Sequence, residues 1–326
     1  MKIPIHHSPK KLLSLCLGLG LSLQLSCQQP DKSDLQARQI AAEFGKPELA
    51  SLIKAMKAVE PLHTPMGRPK LYDWLMEHEE KGQTFAEYLN SKPVIPTDQR
   101  KIIYVQPLGN FTEPQRKIVK ITAEYLALFF NLPVRINEDL PLTLIPKIAR
   151  RKSPLEKNSE QILTGYVLND ILKPRLPSDA VAMIAFTASD LWPGQGWNFL
   201  FGQASLSDRV GVWSLHHFGN PDEIYGDFQL CLLRTLKLAS HETGHMFSIP
   251  HCTKYECNMS GTNHLGETDS RQLDVCPECM AKICWAMKYN LLQRYEKLAE
   301  FCQTQGLAQE RKYFLAAATA VTERRK

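Results

Sequence analysis

The most constraining feature of the sequence is a cluster of histidines and cysteines between residues 241 and 279. It opens with the motif His-Glu-Thr-Gly-His at residues 241–245. Residues four apart lie on one face of a helix, with Cβ atoms about 5–6 Å apart. His241 and His245 are therefore placed to share one metal ion. Glu242 is rotated by one residue, so it can reach a water molecule at that ion without binding the ion itself.

A third nitrogen ligand has to come from outside this helix. The next position on the same face, Ile249, is apolar, whereas His251 follows His245 by six residues. The helix must therefore end within 246–248, and the chain must turn back. Three histidine ligands and an open fourth position are typical of a catalytic zinc site. At such a site we expect Glu242 to take a proton from the attacking water and pass it to the leaving amine.

Four cysteines form a second candidate metal site. Four residues separate Cys252 from Cys257, and two residues separate Cys276 from Cys279. These spacings suit a closed, tetrahedral zinc site with four thiolate ligands. Because Cys252 directly follows His251, a zinc ion there would fix the loop that carries the third histidine. Two disulfides are the alternative, since an exported protein meets oxidising surroundings.

The complete pattern resembles the archaemetzincin family of zinc metallopeptidases. The pattern is His-Glu-x-x-His, then His-Cys, four residues, Cys-x-Met and Cys-x-x-Cys, and the resemblance covers about residues 80–290, including segments at 197–205 and 263–265. It implies an α/β (α+β) fold of metzincin type. That fold has a mixed twisted sheet, an active-site helix, a second zinc site in the loop region and a long C-terminal helix.

The resemblance also implies two zinc ions per chain and a role for each motif residue. The implied roles are catalytic zinc ligands at His241, His245 and His251, a general base at Glu242, structural zinc ligands at Cys252, Cys257, Cys276 and Cys279, and a methionine beneath the catalytic zinc at Met259.

Ser248 departs from the pattern. Metzincin-like motifs carry glycine at the third position after the second histidine, where this chain has serine. Glycine permits a positive φ at a sharp turn, and another residue there costs about 1 kcal/mol or more. Either Ser248 is strained, or the turn is built differently and His251 is placed differently.

These observations predict a zinc-dependent peptidase that acts on a peptide or protein substrate. The resemblance implies an aminopeptidase-like or undefined specificity, and the sequence identifies no substrate-binding side chain. We expect a strand within 197–205 to take the peptide as an added strand. The alternative is a catalytically weak, zinc-binding, membrane-anchored protein that binds peptides, and Ser248 is its best support.

The first 26 residues have the pattern of an export signal. Lys10 and Lys11 precede an apolar run at 12–25, which is shorter than the roughly 20 residues of a membrane span. Cys27 follows the small residue Ser26, as in a bacterial lipobox, although Gln24 stands where an aliphatic residue is usual. We expect a lipid on Cys27, membrane attachment through it and a place in the cell envelope. A periplasmic or secreted form is the alternative.

Composition bounds the remaining possibilities. A hydrophobic content of 44% and a charged content of 22% are those of an ordinary globular protein. The net charge is +5, and three lysines of the first 26 residues account for part of it, which leaves +2. No nucleic-acid partner is therefore expected.

The expected organisation places residues 27–100 as a spacer and helical extension, 101–305 as the metallopeptidase domain and 306–326 as a tail. Strands alternating with helices predict an α/β sheet. Apolar patterns predict strands at 102–105, 133–136, 180–186 and 210–215 and helices at 71–89, 162–172, 228–247 and 281–303. The basic cluster at 150–152 is expected to be a solvated turn.

Overall fold

A computed structural model describes residues 47–157, 159–205, 207–222 and 227–323. The predicted export signal at 1–26 and the predicted lipidation site Cys27 lie outside these residues. Within the described ranges, no helix combines the length and the apolar character needed to cross a membrane.

The described residues alternate between strands and helices. The strands are β1 (Ile102–Leu108), β2 (Val134–Ile136), β3 (Arg150–Lys152), β4 (Glu160–Leu163), β5 (Ala180–Thr187), β6 (Asp190–Trp192), β7 (Gly202–Ala204) and β8 (Val210–Ser214). The α-helices are α1 (Pro47–Val59), α2 (Trp74–Glu77), α3 (Phe85–Asn90), α4 (Glu113–Phe130), α5 (Thr164–Tyr166), α6 (Asp227–Met246), α7 (Leu265–Ser270), α8 (Pro277–Met287), α9 (Leu291–Thr304) and α10 (Ala308–Glu323). Single turns of 3₁₀-helix lie at Glu60–Leu62, Leu142–Leu144, Lys147–Ala149 and Lys173–Arg175, and a π-turn lies at Val167–Leu172.

Among the described strands, five form the main sheet in the order β2-β1-β5-β8-β7. The first four run parallel, and β7 pairs antiparallel with β8 at the end of the sheet. Strands β1 and β5 are buried along their whole length, as central parallel strands covered on both faces are. The mixed sheet confirms the predicted α/β class and leaves β7 as an edge strand.

Helix α6 packs against this edge of the sheet. It contacts β7 and β8 on one side and α4 on another. The side chains that it buries include Leu232, Leu236 and Ala239, which recur at helical spacing. The same helix carries the His-Glu-x-x-His motif in its last turns, so burial of its apolar side sets how the motif faces the cleft beside β7.

Two of the predicted helices are interrupted in the structure. The helix expected at 71–89 is wrong in extent, because only α2 and α3 are helical and Thr84 caps the start of α3 through a capping box. The helix expected at 281–303 is divided into α8 and α9. Lys288 ends α8 with a left-handed φ of 50°, and the Asn290 side chain caps the start of α9.

Three other segments also differ from expectation. The segment 162–172 begins as the end of β4 and becomes helical at Thr164. The basic cluster 150–152 is strand β3, because it pairs antiparallel with β4. Residues 306–326, expected as a tail, contain α10, which contacts α9 and α1 and buries Phe314. The second sheet, with order β3-β4-β6, packs beside the main one.

Candidate metal centre and active site

The turn after α6 decides where the third histidine lies. The Ser248 N–H donates to the His245 carbonyl at 2.9 Å, and the Ile249 N–H donates to the Gly244 carbonyl at 3.2 Å. This pair of bonds is the Schellman motif, in which a residue with positive φ, usually glycine, follows the helix. Ser248 occupies that position with a φ of 63°. The turn therefore keeps the shape that glycine would give it, and Ser248 carries the strain.

Contacts of the Ser248 side chain offset part of that strain. Its Oγ accepts a hydrogen bond from the Val94 backbone N–H at 3.1 Å. Val94 lies in the segment between α3 and β1, so this bond also ties the turn to the residues that precede the sheet. The chain then reverses, and His251 comes to lie beside the two helical histidines.

The three imidazoles converge on one point. Their ring centroids are 4.6 Å apart for His241 and His245, 5.2 Å for His241 and His251, and 4.9 Å for His245 and His251. The Nε2 atoms of His241 and His245 are 3.0 Å apart. Each of the three residues offers a nitrogen within 4.8 Å of the others.

A hydrogen bond to oxygen fixes the tautomer of each ring. Every Nδ1 lies 2.7 Å from an oxygen: the Asn258 carbonyl for His241, the Ile249 carbonyl for His245 and the Glu80 carboxylate for His251. Carbonyl and carboxylate oxygens only accept, so each Nδ1 carries the proton. In the neutral rings, each Nε2 therefore presents a lone pair.

Burial keeps the two helical histidines neutral. Burial, the larger cause, and the neighbouring imidazoles together lower the pKa of His241 well below its ordinary value and that of His245 to about 4. Two lone pairs at 3.0 Å repel each other unless a cation lies between them. A tetrahedral zinc ion with nitrogens at about 2.0–2.1 Å would place two of them about 3.3 Å apart. The donor set therefore fits a zinc ion.

Glu242 lies beside the imidazoles and is 9% exposed. Burial raises the pKa of its carboxyl group to about 8, although the Ala204 backbone N–H donates to the carboxylate and opposes the shift. Glu242 thus lies on the helix that carries the two histidines, and its carboxylate contacts the edge strand β7.

A cavity of about 500 Å³ opens over these groups. All three residues of β7 line it, together with the three histidines and Glu242. The rest of the lining includes Trp74, Trp197, Leu200, Phe201, Asn258, Thr262 and Arg271. The segment predicted to bind a peptide, 197–205, therefore contributes one wall of this cavity.

Met259 packs directly against the motif helix. A Cβ atom on Gly244 would lie 2.6 Å from the Met259 sulfur, so the absence of a side chain at residue 244 makes room for this methionine. Met259 is fully buried. It therefore packs against the helix between the two histidines, and its implied place beneath a zinc ion stays a prediction.

The four cysteines form a second buried cluster. Their sulfurs lie within 4.8 Å of one another, and none of the four is joined in a disulfide. The Cys252 and Cys276 sulfurs are 3.6 Å apart, close to the 3.8 Å or so that a tetrahedron with metal–sulfur distances of about 2.3 Å would give. Burial raises the pKa of the Cys257 and Cys276 thiols. Burial therefore disfavours the charged thiolates unless a cation lies beside them. The four sulfurs thus fit the ligand set of a structural zinc ion.

This cluster fixes the loop that serves the histidines. The backbone N–H groups of Met259 and Cys276 donate to the Cys257 sulfur at 3.3 and 3.1 Å, and the Cys252 N–H donates to the Met259 carbonyl at 2.8 Å. The loop carries the Asn258 carbonyl that receives His241. The two clusters are therefore mechanically connected.

Sequence reasoning missed two residues at the site and left two others aside. Glu80 and Trp74 belong to the predicted spacer, 27–100, yet both contact His251. No spacing pattern connects positions so far apart in sequence. The two others are His216 and His217, which pair with Glu156 and Asp190 at 2.9 Å each.

Comparison with known proteins identifies the relatives of this chain. A model of Peptidase family M54 matches residues 139–284. Archaemetzincin-2 of Rattus norvegicus is 30% identical over 299 residues, covering 82% of each chain. Archaemetzincin-2 of Homo sapiens is 31% identical, covering 74% of this chain and 73% of its own. A crystal structure of archaemetzincin from Methanopyrus kandleri is 23% identical over 60% of this chain and 99% of that one, with a TM-score of 0.46.

A family match that includes the His-Glu-x-x-His motif defines the class of the protein, a zinc metallopeptidase and thus a hydrolase. Identity at this level over more than two thirds of the relatives' length shows that the chain belongs to the archaemetzincin family. The predicted family and enzyme class are confirmed, and the role of each site residue remains a prediction.

Substitution of Ser248 separates its strain from its hydrogen bond. Ser248→Ala keeps the positive φ and loses the bond from Val94, so we expect it to lower the free energy of unfolding by about 1 kcal/mol. Ser248→Gly loses the same bond but removes the strain, which is worth about 1 kcal/mol. We therefore expect the glycine variant to match the parent in urea denaturation. Equal stability of the two variants would show that residue 248 is not strained.

Proposed function

We propose that His241, His245 and His251 hold the catalytic zinc ion and that Glu242 is the general base of peptide hydrolysis. The observation that carries this proposal is the common arrangement of the three rings, each with its Nδ1 proton donated to oxygen and its Nε2 left available. A bound zinc ion would polarise the scissile carbonyl and make water a better nucleophile near neutral pH.

Other groups of the chain would transfer the proton and keep the imidazoles oriented. Glu242 accepts the proton of the attacking water and delivers it to the leaving nitrogen. The positive charge of a bound zinc ion would favour the ionised carboxylate and so oppose the burial that raises its pKa. The Ala204 N–H donates to this carboxylate, and both residues line the cavity. The Asn258, Ile249 and Glu80 oxygens keep the imidazoles oriented throughout.

We infer that the substrate binds as an extended peptide along β7. This strand ends the main sheet, and its three residues line the cavity. Edge strands offer backbone groups to which an added strand can pair. The aminopeptidase-like specificity that the resemblance implies stays a prediction. Glu242 is the only carboxylate among the lining residues that the structure describes, so neutral oxygens would have to receive a substrate amino group.

We also propose a second zinc ion at Cys252, Cys257, Cys276 and Cys279. The four buried sulfurs with near-tetrahedral spacing support it. This ion would have a structural role, because four protein ligands leave no open position. Its effect on catalysis would be indirect, through the loop that carries His251 and the Asn258 carbonyl.

Replacement of Glu242 tests the proposed base. Glu242→Gln keeps an oxygen for the Ala204 N–H but cannot take a proton, so we expect peptide cleavage to fall by about 10²–10⁴-fold with zinc content unchanged. The measurement is kcat/KM on a peptide library together with metal analysis. Glu124→Gln, at an exposed position of α4, is the control and should cleave normally. Full activity of Glu242→Gln would remove it as the base.

Metal and thiol analysis tests the cysteine site. We expect two zinc ions per chain, with one released first by chelator and the other retained until the cysteines become reactive to thiol reagents. The same experiment on His241→Ala should leave one ion. One zinc ion in the parent protein, with none of the four cysteines reactive after denaturation, would show disulfides instead.

We further propose export and lipid attachment at Cys27, on the strength of the sequence at 10–27. Expression with a labelled fatty acid in a bacterium should label the protein, and Cys27→Ala should abolish the label and release the protein from membranes. Ser26→Ala keeps a small residue before the cysteine and should be labelled as the parent is. Labelling of Cys27→Ala to the parent level would contradict the proposal.

A further inference from the structure

A segment from the predicted spacer crosses beside the metal centre. We call residues 71–83 the strap. It lies outside the 139–284 range matched by the family model. Three hydrogen bonds tie it to residues of one loop and two helices, α7 and α8. They run from Asn263 Nδ2 to the Tyr72 carbonyl (3.2 Å), from the Trp74 N–H to Glu267 Oε2 (3.2 Å) and from Lys282 Nζ to the Gln83 carbonyl (2.6 Å).

Glu80 of the strap is the partner of His251. Its Oε1 accepts the His251 Nδ1 proton at 2.7 Å, and its Oε2 is buried without a hydrogen-bond partner. His241 and His245 instead donate to backbone carbonyls close to them in the chain. A carboxylate behind a ligating imidazole raises the basicity of the ring and fixes its orientation. Of the three rings, only that of His251 thus has a charged partner among the described residues.

Trp74 of the strap lies over the same histidine. Its ring centroid is 5.1 Å from that of His251 at an interplanar angle of 80°, and it stacks on His78 at 3.9 Å. A Cβ on Gly261 would collide with the indole, so that glycine makes room for it. Trp74 lines the cavity, and its buried Nε1 has no hydrogen-bond partner. That nitrogen lies beside Gly261 and is closed off from the cavity, so what Trp74 offers the site is the packing of its ring against His251.

We propose that the strap is a working part of the active site, in which Glu80 positions the third imidazole by accepting its Nδ1 proton. This inference rests on the proposed function, because it assumes that His251 binds the catalytic ion. It extends the site beyond the metallopeptidase region that the motifs define. Glu80 is a positioning residue, and Trp74 packs against the ring that Glu80 orients.

Zinc affinity tests the role of Glu80 without reference to activity. The catalytic ion is identified as the one absent from His241→Ala, and its dissociation constant is measured by chelator competition. We expect Glu80→Ala to weaken it by about 10–100-fold, the usual cost of losing such a partner. Glu80→Gln retains an oxygen acceptor and should restore most of the affinity. Glu79→Ala, at an exposed neighbouring position, is the matched control and should leave affinity unchanged.

The outcomes separate this inference from the function on which it rests. If the parent protein binds two zinc ions and Glu80→Ala retains the parent affinity for the catalytic ion, the strap proposal is overturned and the proposed function stands. If His241→Ala binds as much zinc as the parent, the three-histidine site itself is wrong. Parent-like thermal stability of Glu80→Ala would show that a weaker ion reflects the ring and not a damaged fold.

Discussion

The site depends on one repeated interaction, a hydrogen bond from the Nδ1 of each imidazole to an oxygen atom. Each bond fixes a ring and its tautomer, and together they aim three Nε2 lone pairs at one point. Such an arrangement is unfavourable on its own, because like partial charges face each other across 3.0 Å. A divalent cation between the nitrogens would remove this repulsion. The fold therefore favours cation binding, because it fixes the orientation of the three imidazoles in advance.

The remainder of the structure supplies the three oxygens. The Schellman turn after α6 presents the Ile249 carbonyl, and the loop held by the cysteine cluster presents the Asn258 carbonyl. The third oxygen comes from Glu80, which precedes the strands of the sheet in the sequence. Three separate segments thus meet at one metal centre. A change in any of them would rotate the imidazole that it holds.

Much of this site was predictable from local spacing, and the rest was not. A separation of four residues fixes a shared helix face, so His241 and His245 followed directly from helix geometry. Short apolar runs in the sequence likewise predicted the strands β1, β5 and β8. Ser248 was visible as an anomaly, but only the backbone shows that it takes the positive φ of a glycine. Glu80 and Trp74 lack any local pattern, because their roles arise from a contact made across 171 residues in the case of Glu80 and His251.

The errors in secondary structure have a common origin. Apolar spacing continues through 281–303, yet Lys288 ends one helix with a left-handed φ and the Asn290 side chain caps the start of the next. Strand β3 forms from the basic segment 150–152 because β4 provides a pairing partner. In each case a specific hydrogen-bonding arrangement outweighs the periodic pattern, a local side-chain cap in the first and a neighbouring strand in the second.

The most direct test of the three-histidine site is a crystal structure of the zinc-replete protein with anomalous diffraction data at the zinc edge. We expect an anomalous peak about 2.0–2.1 Å from the Nε2 atoms of His241, His245 and His251, with no protein atom in the fourth position. The site is contradicted if the zinc-replete crystals show no peak there, a peak bound through Nδ1, or a fourth protein ligand that closes the site.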